Sequence, residues 1–190
     1  MFCYCQSGQS FKECCALFIQ GQHLPASAEQ LMRSRFSAYC EGSAQAMQYL
    51  AQSYHPKSQA ENPVSEITAF AKVAHFISLE IIQSSDPSLI PGPLQQQLSE
   101  WIDPEQDLYA TVHFKARFIM HDKLHLLEES SRFIRSNQQW LYLDGAFTEH
   151  APQKLSRNDS CPCRSGKKYK HCQPHLSAAH IAAQSALENG

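Results

Sequence analysis

The chain contains no apolar run near the roughly 20 residues that a membrane-spanning helix requires. Its first residues, Met1-Phe2-Cys3-Tyr4-Cys5, have neither the basic start nor the apolar stretch of a secretory signal. Sixteen Lys and Arg stand against eighteen Asp and Glu, a formal charge of −2. No whole-protein field therefore argues for nucleic acid or an anionic membrane, and electrostatic recognition must be local. A nucleophile–base pair, a phosphate-binding glycine loop and a catalytic zinc signature are also missing, so no reaction class is indicated and the question of an enzyme stays open. Hydrophobic residues at 43% and charged residues at 18% suit a packed core. The expectation is a soluble cytoplasmic protein of 190 residues, enough for one core domain with appendages.

What the chain does have is cysteine, eight in all. Cytosolic thiols are kept reduced, so clustered cysteines there indicate metal or redox chemistry. Cys40 stands alone and reads as a small buried hydrophobe. The other seven fall at the two ends and repeat one pattern. Cys3-Tyr4-Cys5-Gln6-Ser7-Gly8 precedes Cys14-Cys15, and Cys161-Pro162-Cys163-Arg164-Ser165-Gly166 precedes Cys172-Gln173, with eight residues between the second and third cysteine each time.

Two thiolates close together in a turn leave two positions of a tetrahedron open, and a short following helix can return the rest. That is the donor set of a structural zinc site. Metal binding would contribute on the order of 10–16 kcal/mol to folding a segment too short to order itself. Cys3, Cys5, Cys14 and Cys15 complete such a set, with a disulfide pair or a redox C-x-C as the alternative. At the second copy Gln173 replaces the fourth cysteine, so Cys161, Cys163 and Cys172 need another ligand. His175 is the favoured candidate and His171 the other; a three-cysteine site completed by water, or an empty site, are further alternatives.

Between the ends, Gln9–Gln20 reads as a short helix. Ser27 with Gln30 resembles a capping box opening a helix through Leu31, Phe36 and Tyr39, with Gly42 as its stop and Ser43 as the next cap. A short helix follows Pro63. The period then changes to two: Ile77–Ile82, Leu108–Phe118, Leu124–Arg135 and Trp140–Phe147 read as antiparallel strands, with turns at His121-Asp122 and Asn137-Gln138. Residues 84–106 read as a long insertion with helical character near Leu94–Ile102, Ala151–Asp159 as a linker, and His175–Leu187 as a helix. The fold class expected is α+β, helices packed on one face of a curved antiparallel sheet, the face carrying Leu108 to Phe118. The units are 1–22, 27–150, 157–176 and a tail at 177–190.

The run Arg157-Asn158-Asp159-Ser160-Cys161-Pro162-Cys163-Arg164-Ser165-Gly166-Lys167-Lys168-Tyr169-Lys170-His171-Cys172 resembles the SEC-C motif, the zinc-binding tail of the SecA translocation ATPase. It departs at Ser160, where Pro is usual, at Arg164, where Gly is usual, and at Gln173, where Cys or His is usual. With Leu31–Tyr39, Glu129–Phe133 and Trp140–Gly145, the whole arrangement resembles the YchJ-like family, a SEC-C motif at each end of a nuclear-transport-factor-like (cystatin-like) domain. In SecA the similar tail binds the acidic surface of the chaperone SecB. The resemblance thus implies an acidic protein partner for Arg164, Lys167, Lys168, Tyr169 and Lys170 and an adaptor or chaperone-associated role; a solvated basic loop is the bland alternative, and nucleic-acid binding by the same basic and aromatic residues a weaker one.

A second expectation concerns the central domain. Leu127, Glu129, Ser131 and Phe133 share one strand face by alternation. A carboxylate on a covered face is costly unless partnered, with Arg35 or a tyrosine as candidates. Glu129, Ser131 and Arg35 therefore mark a candidate small-molecule pocket, against the plainer reading of a glutamate tying helix to sheet.

Overall fold

The structure is a computed structural model that describes residues 1–163 and 165–172. Arg164, His175 and the expected tail helix lie outside the described residues. The N-terminal knuckle leads into α1 (Cys15–Ile19), followed by α2 (Ala28–Glu41), α3 (Ala44–Gln52), α4 (Pro56–Gln59) and α5 (Val64–Val73). Then come β1 (His75–Ser84), β2 (Ser88–Leu89), α6 (Gly92–Gln97), β3 (Leu108–Met120), β4 (Lys123–Ser136), β5 (Gln139–Thr148) and β6 (Gln153–Lys154), with a 3-10 turn at Tyr169–His171. Among the described residues the strands form one six-stranded antiparallel sheet in the order β1-β3-β4-β5, with β2 beside β3 and β6 beside β4.

Local chemistry explains most boundaries. Ser27 accepts the Gln30 amide at 3.1 Å, and the Gln30 side chain accepts the Ala26 amide at 2.8 Å, which fixes the start of α2. Gly42 ends it at φ +71°, a left-handed conformation that glycine adopts without a Cβ penalty. Ser43 then caps α3 through the Ala46 amide. The β3–β4 and β4–β5 hairpins turn on His121-Asp122 and Asn137-Gln138. All four residues have positive φ, as a two-residue turn matched to strand twist demands.

The α+β expectation holds. The face of β3 bearing Ala110, Val112, Phe114 and Ala116 packs with Leu31, Met32 and Phe36 of α2, Phe133 of β4 and Trp140 of β5. Three local expectations change. The helix expected over 9–20 is only Cys15–Ile19, because residues 9–14 are held in the knuckle's turns, including a Phe2–Ser10 bridge. The 151–159 linker contains β6, and Leu155 is buried and bonded to the Asp122 carbonyl. The 84–106 insertion is packed: Ile90, Leu94 and Leu98 form a second core with Ile134 and Leu143. Ile134 alternates with Phe133 along β4, so α6 covers the opposite face of the sheet from α2.

Candidate metal centres and central cavity

At the N-terminus the four sulfurs of Cys3, Cys5, Cys14 and Cys15 lie within 4.8 Å of one another. Cys5–Cys14 and Cys14–Cys15 sulfurs are 3.7 and 3.8 Å apart. A tetrahedron of sulfurs around one ion at ~2.3 Å has edges of about 3.8 Å, whereas a disulfide brings sulfurs to about 2.05 Å. All eight cysteines are free thiols. Donor type, number and spacing thus fit a tetrahedral thiophilic ion and do not fit a disulfide.

The fold builds this cluster into the core. Cys3, Cys5 and Cys15 pack with Ala38 of α2 and Met47 and Leu50 of α3. Ser37 Oγ lies 3.7 Å from Cys3 Sγ, and Arg33 donates to the Cys5 carbonyl at 3.0 Å. Such outer partners orient metal-binding side chains. Hydrogen bonding with Cys15 and Cys5 holds the Cys3 thiol far below the ordinary thiol range, while the same contacts, Cys3 first, push Cys15 far above it. The cluster has the electrostatics of a site that shares negative charge, the condition a cation relieves.

The C-terminal cluster repeats the turn of this construction. The Cys161 amide bonds the Lys167 carbonyl at 2.8 Å, as the Cys3 amide bonds Gln9 at 2.8 Å. Ser165 Oγ lies 3.5 Å from Cys172 Sγ, as Ser7 Oγ lies 3.4 Å from Cys14 Sγ. A Ser160–Lys168 bridge repeats the Phe2–Ser10 bridge, and Gly166 (φ +74°) repeats Gly8 (φ +82°). Cys163 and Cys172 sulfurs are 3.6 Å apart, and Cys161 joins them within 4.8 Å. Among the described residues this group has three thiols; Gln173 and His175 lie outside them. The knuckle sits at the end of the sheet, where Cys161, Tyr169 and Cys172 pack with Ile119 and Leu155.

A third feature lies in the central domain. A cavity of about 450 Å³ opens between α2 and the covered face of the sheet. Glu129 lines it at 5% exposure. Ser131 Oγ and Tyr142 Oη both donate to its Oε1 at 2.7 Å. A bulge in β5 makes this possible: Arg132 pairs with Asp144 but Phe133 with Tyr142, so Tyr142 and Gly145, three residues apart, both face the cavity. Glu129 lies over Gly145, where a Cβ would stand 2.0 Å from Oε1. Burial pushes the Glu129 carboxyl above its usual range; hydrogen bonds from Ser131 and Tyr142, then the Arg35 charge, oppose this in part.

The profile of the YchJ middle NTF2-like domain matches residues 27–90 and 94–145, and that of the SEC-C motif matches residues 157–172. The chain belongs to the YchJ-like family. A UPF0225 protein of Vibrio cholerae is 37% identical over 172 residues, covering 90% of this chain and 99% of its own length. A UPF0225 protein of Photorhabdus laumondii is 36% identical over 174 residues, covering 90% and 96%. Two solved structures of SEC-C motif containing proteins share the fold at 23% identity. That from Rhodopseudomonas palustris has a TM-score of 0.63 over 78% of this chain and 100% of its own. That from Psychrobacter arcticus has 0.56 over 92% and 96%.

In this YchJ-like chain the residues singled out from sequence divide as follows. The seven clustered cysteines gather into two groups. Lys167 and Lys168 are exposed and Lys170 is half-buried. Tyr169 is a correction: it does not face outward with its lysine neighbours but is fully buried, its hydroxyl donating to Asp122. An aromatic ring at this place is worth more as an anchor in the sheet-end core than in water. Glu129 and Ser131 do meet in the cavity, and Arg35 lines it. Yet the Arg35 guanidinium donates to the Leu50 carbonyl and Ser53 hydroxyl and stacks on Tyr54 and Tyr142, 4.3 and 4.6 Å from the ring centres. The partners of Glu129 are instead the hydroxyls of Ser131 and Tyr142. Gly145 and Phe147 were not foreseen as cavity residues, because strict alternation from Tyr142 puts both on the wrong face. Among the described residues no helix is long and apolar enough to cross a membrane.

Proposed function

We propose that this is a zinc protein whose two knuckles have unequal roles, the first a structural clasp and the second a docking element for an acidic protein surface. The observation that carries the reading is the repeated sulfur cluster, whose 3.6–3.8 Å spacings suit four-coordinate zinc. Zinc is favoured over other ions because thiolate donors without carboxylate partners select soft or borderline metals. The clasp role rests on burial: the first cluster is packed between α1, α2 and α3, so its metal would hold the helices to one another.

The docking role rests on what each knuckle presents. At equivalent turns the first has Gln9 and Ser10, the second Lys167 and Lys168, which point to solvent. Tyr169 beneath them fixes the knuckle to the sheet, so the two charges are displayed on an anchored base. Such a patch steers an acidic partner and orients it more than it binds tightly. Retention of the zinc-loaded protein on immobilised poly-glutamate at graded salt tests this. Salt-sensitive retention that is lost in Lys167→Glu/Lys168→Glu supports docking. Equal behaviour of the variant and the wild type removes it, leaving two structural sites.

A further inference from the structure

We infer that the central cavity binds a small, flat, largely apolar molecule that donates an N–H or O–H hydrogen bond to Oε2 of Glu129. This stands on the middle domain alone and does not depend on the metal centres.

Three observations lead there. First, the room is built. The cavity, about 450 Å³, falls in the range of 300–1,000 Å³ typical of small-molecule sites. Its walls are mostly apolar and carry several aromatic rings, among them Phe36, Phe76 and Phe114. Phe70 and Phe147 also line it, 38% and 62% exposed, and so place rings where it meets solvent. Flat apolar bodies stack on such walls.

Second, the carboxylate is half satisfied. Both hydroxyl donors, Ser131 and Tyr142, go to Oε1, and among the described residues none reaches Oε2. Oε2 is not among the sealed, unpartnered atoms of the described residues, so it opens onto the cavity, where a ligand N–H or O–H can reach it. Arg35, the cation lining the cavity, makes no hydrogen bond to Glu129: its Nη1 donates to the Leu50 carbonyl and the Ser53 hydroxyl.

Third, the surroundings keep Glu129 in place against its own cost. Gly145 provides the space in which the side chain lies, and any larger residue there would collide with it. The β5 bulge brings Tyr142 and Gly145 to the same face. The backbone bonds from His55 to Tyr142 and from Tyr142 to Ser53, at 2.7 and 2.8 Å, tie that strand to the end of α3, where Arg35 is held. A glutamate that merely linked helix to sheet would be expected to bond a helix group; both of its partners are on the sheet.

Glu61, Glu129 and Asp144 line the cavity beside Arg35, so the fitting ligand is neutral or cationic, and an anion without a donor is disfavoured. Indole and 1-methylindole form a matched pair of probes that differ in the donor N–H. Each is titrated into the full-length protein and followed by NMR shifts of the cavity residues. The expected result is that indole shifts resonances of Phe36, Tyr142 and Phe147, and that 1-methylindole binds roughly tenfold or more weakly, the loss of one hydrogen bond to a charged group. In Glu129→Leu the two should bind alike. Should that variant fail to fold, Gly145→Ala displaces the carboxylate without removing it and should also abolish the preference. Equal binding of both probes to the wild type, a preference that survives Glu129→Leu or Gly145→Ala, or no shift in the cavity up to the solubility of indole would overturn the inference.

Discussion

Tyr169 donates its hydroxyl to Asp122 Oδ1 at 2.6 Å, across 47 positions of sequence, and so fastens the C-terminal knuckle to the tip of the β3–β4 hairpin. Asp122 occupies the second position of the tight turn with φ +59°, and its carbonyl also accepts the Leu155 amide at 3.0 Å. One turn residue thereby holds both the incoming strand and the knuckle.

Removing that one oxygen should loosen the knuckle without unfolding the domain. Tyr169→Phe keeps the buried ring and loses a hydrogen bond to a carboxylate, with an expected cost of about 1.5–3 kcal/mol. Hydrogen exchange should accelerate at the amides of Cys161, Lys170 and Cys172 and stay unchanged in the centre of β3 and β4. Uniform acceleration along the sheet would show instead that the contact supports the whole fold.

Glu129 should leave a signature in stability against pH. Its carboxyl is raised above 4.5 in the fold by burial, so between 4.5 and the raised value the native chain holds more protons than the unfolded one. Stability from this group is complete below 4.5 and is lost as pH rises through the native value. The charged and titratable groups facing it include Arg35 and Tyr39 of α2 and Tyr142 and Asp144 of β5. Half-buried Glu128, lowered chiefly by His150 and also by His113, has the opposite slope, so the comparison must be made against a variant. Urea unfolding at a series of pH values should show Glu129→Gln gaining stability relative to wild type as pH rises through the window, and the gain then levelling. A constant difference would mean that the carboxyl titrates normally.

The 84–106 segment should behave as part of the fold. Leu98 is fully buried with Ile90, Leu94, Ile134 and Leu143. Leu98→Ala is expected to cost about 2–5 kcal/mol of unfolding free energy, the range for emptying a core leucine site. A loss under about 0.5 kcal/mol, the scale of a neutral surface change, would mark the segment as dispensable decoration.

How far the sequence disclosed these relationships depended on the range of the forces involved. The strands were legible because Ala110, Val112, Phe114 and Ala116 alternate with polar neighbours, and the caps at Ser27 and Ser43 because their bonds span only three residues. The cysteine clusters were legible because a repeat of donors is visible without a fold. Tyr169 was misread because three lysines flank it and its partner, Asp122, is far away in sequence. The packing of Ile90, Leu94 and Leu98 left a trace, a recurrence every four residues, but the prolines and glutamines around them hid it. Gly145 and Phe147 were beyond reach, since the bulge that turns them inward is set by pairing with β4 and leaves no mark on β5 alone.

The most direct measurement is metal content by elemental analysis, on protein purified without chelator or metal-affinity steps, in wild type and in Cys14→Ser/Cys15→Ser. The expected result is about two zinc per chain in the wild type and about one in the variant, one ion for each sulfur cluster. A chain with no zinc, and with its cysteines oxidised in pairs, would contradict the metal reading and turn both knuckles into thiol chemistry.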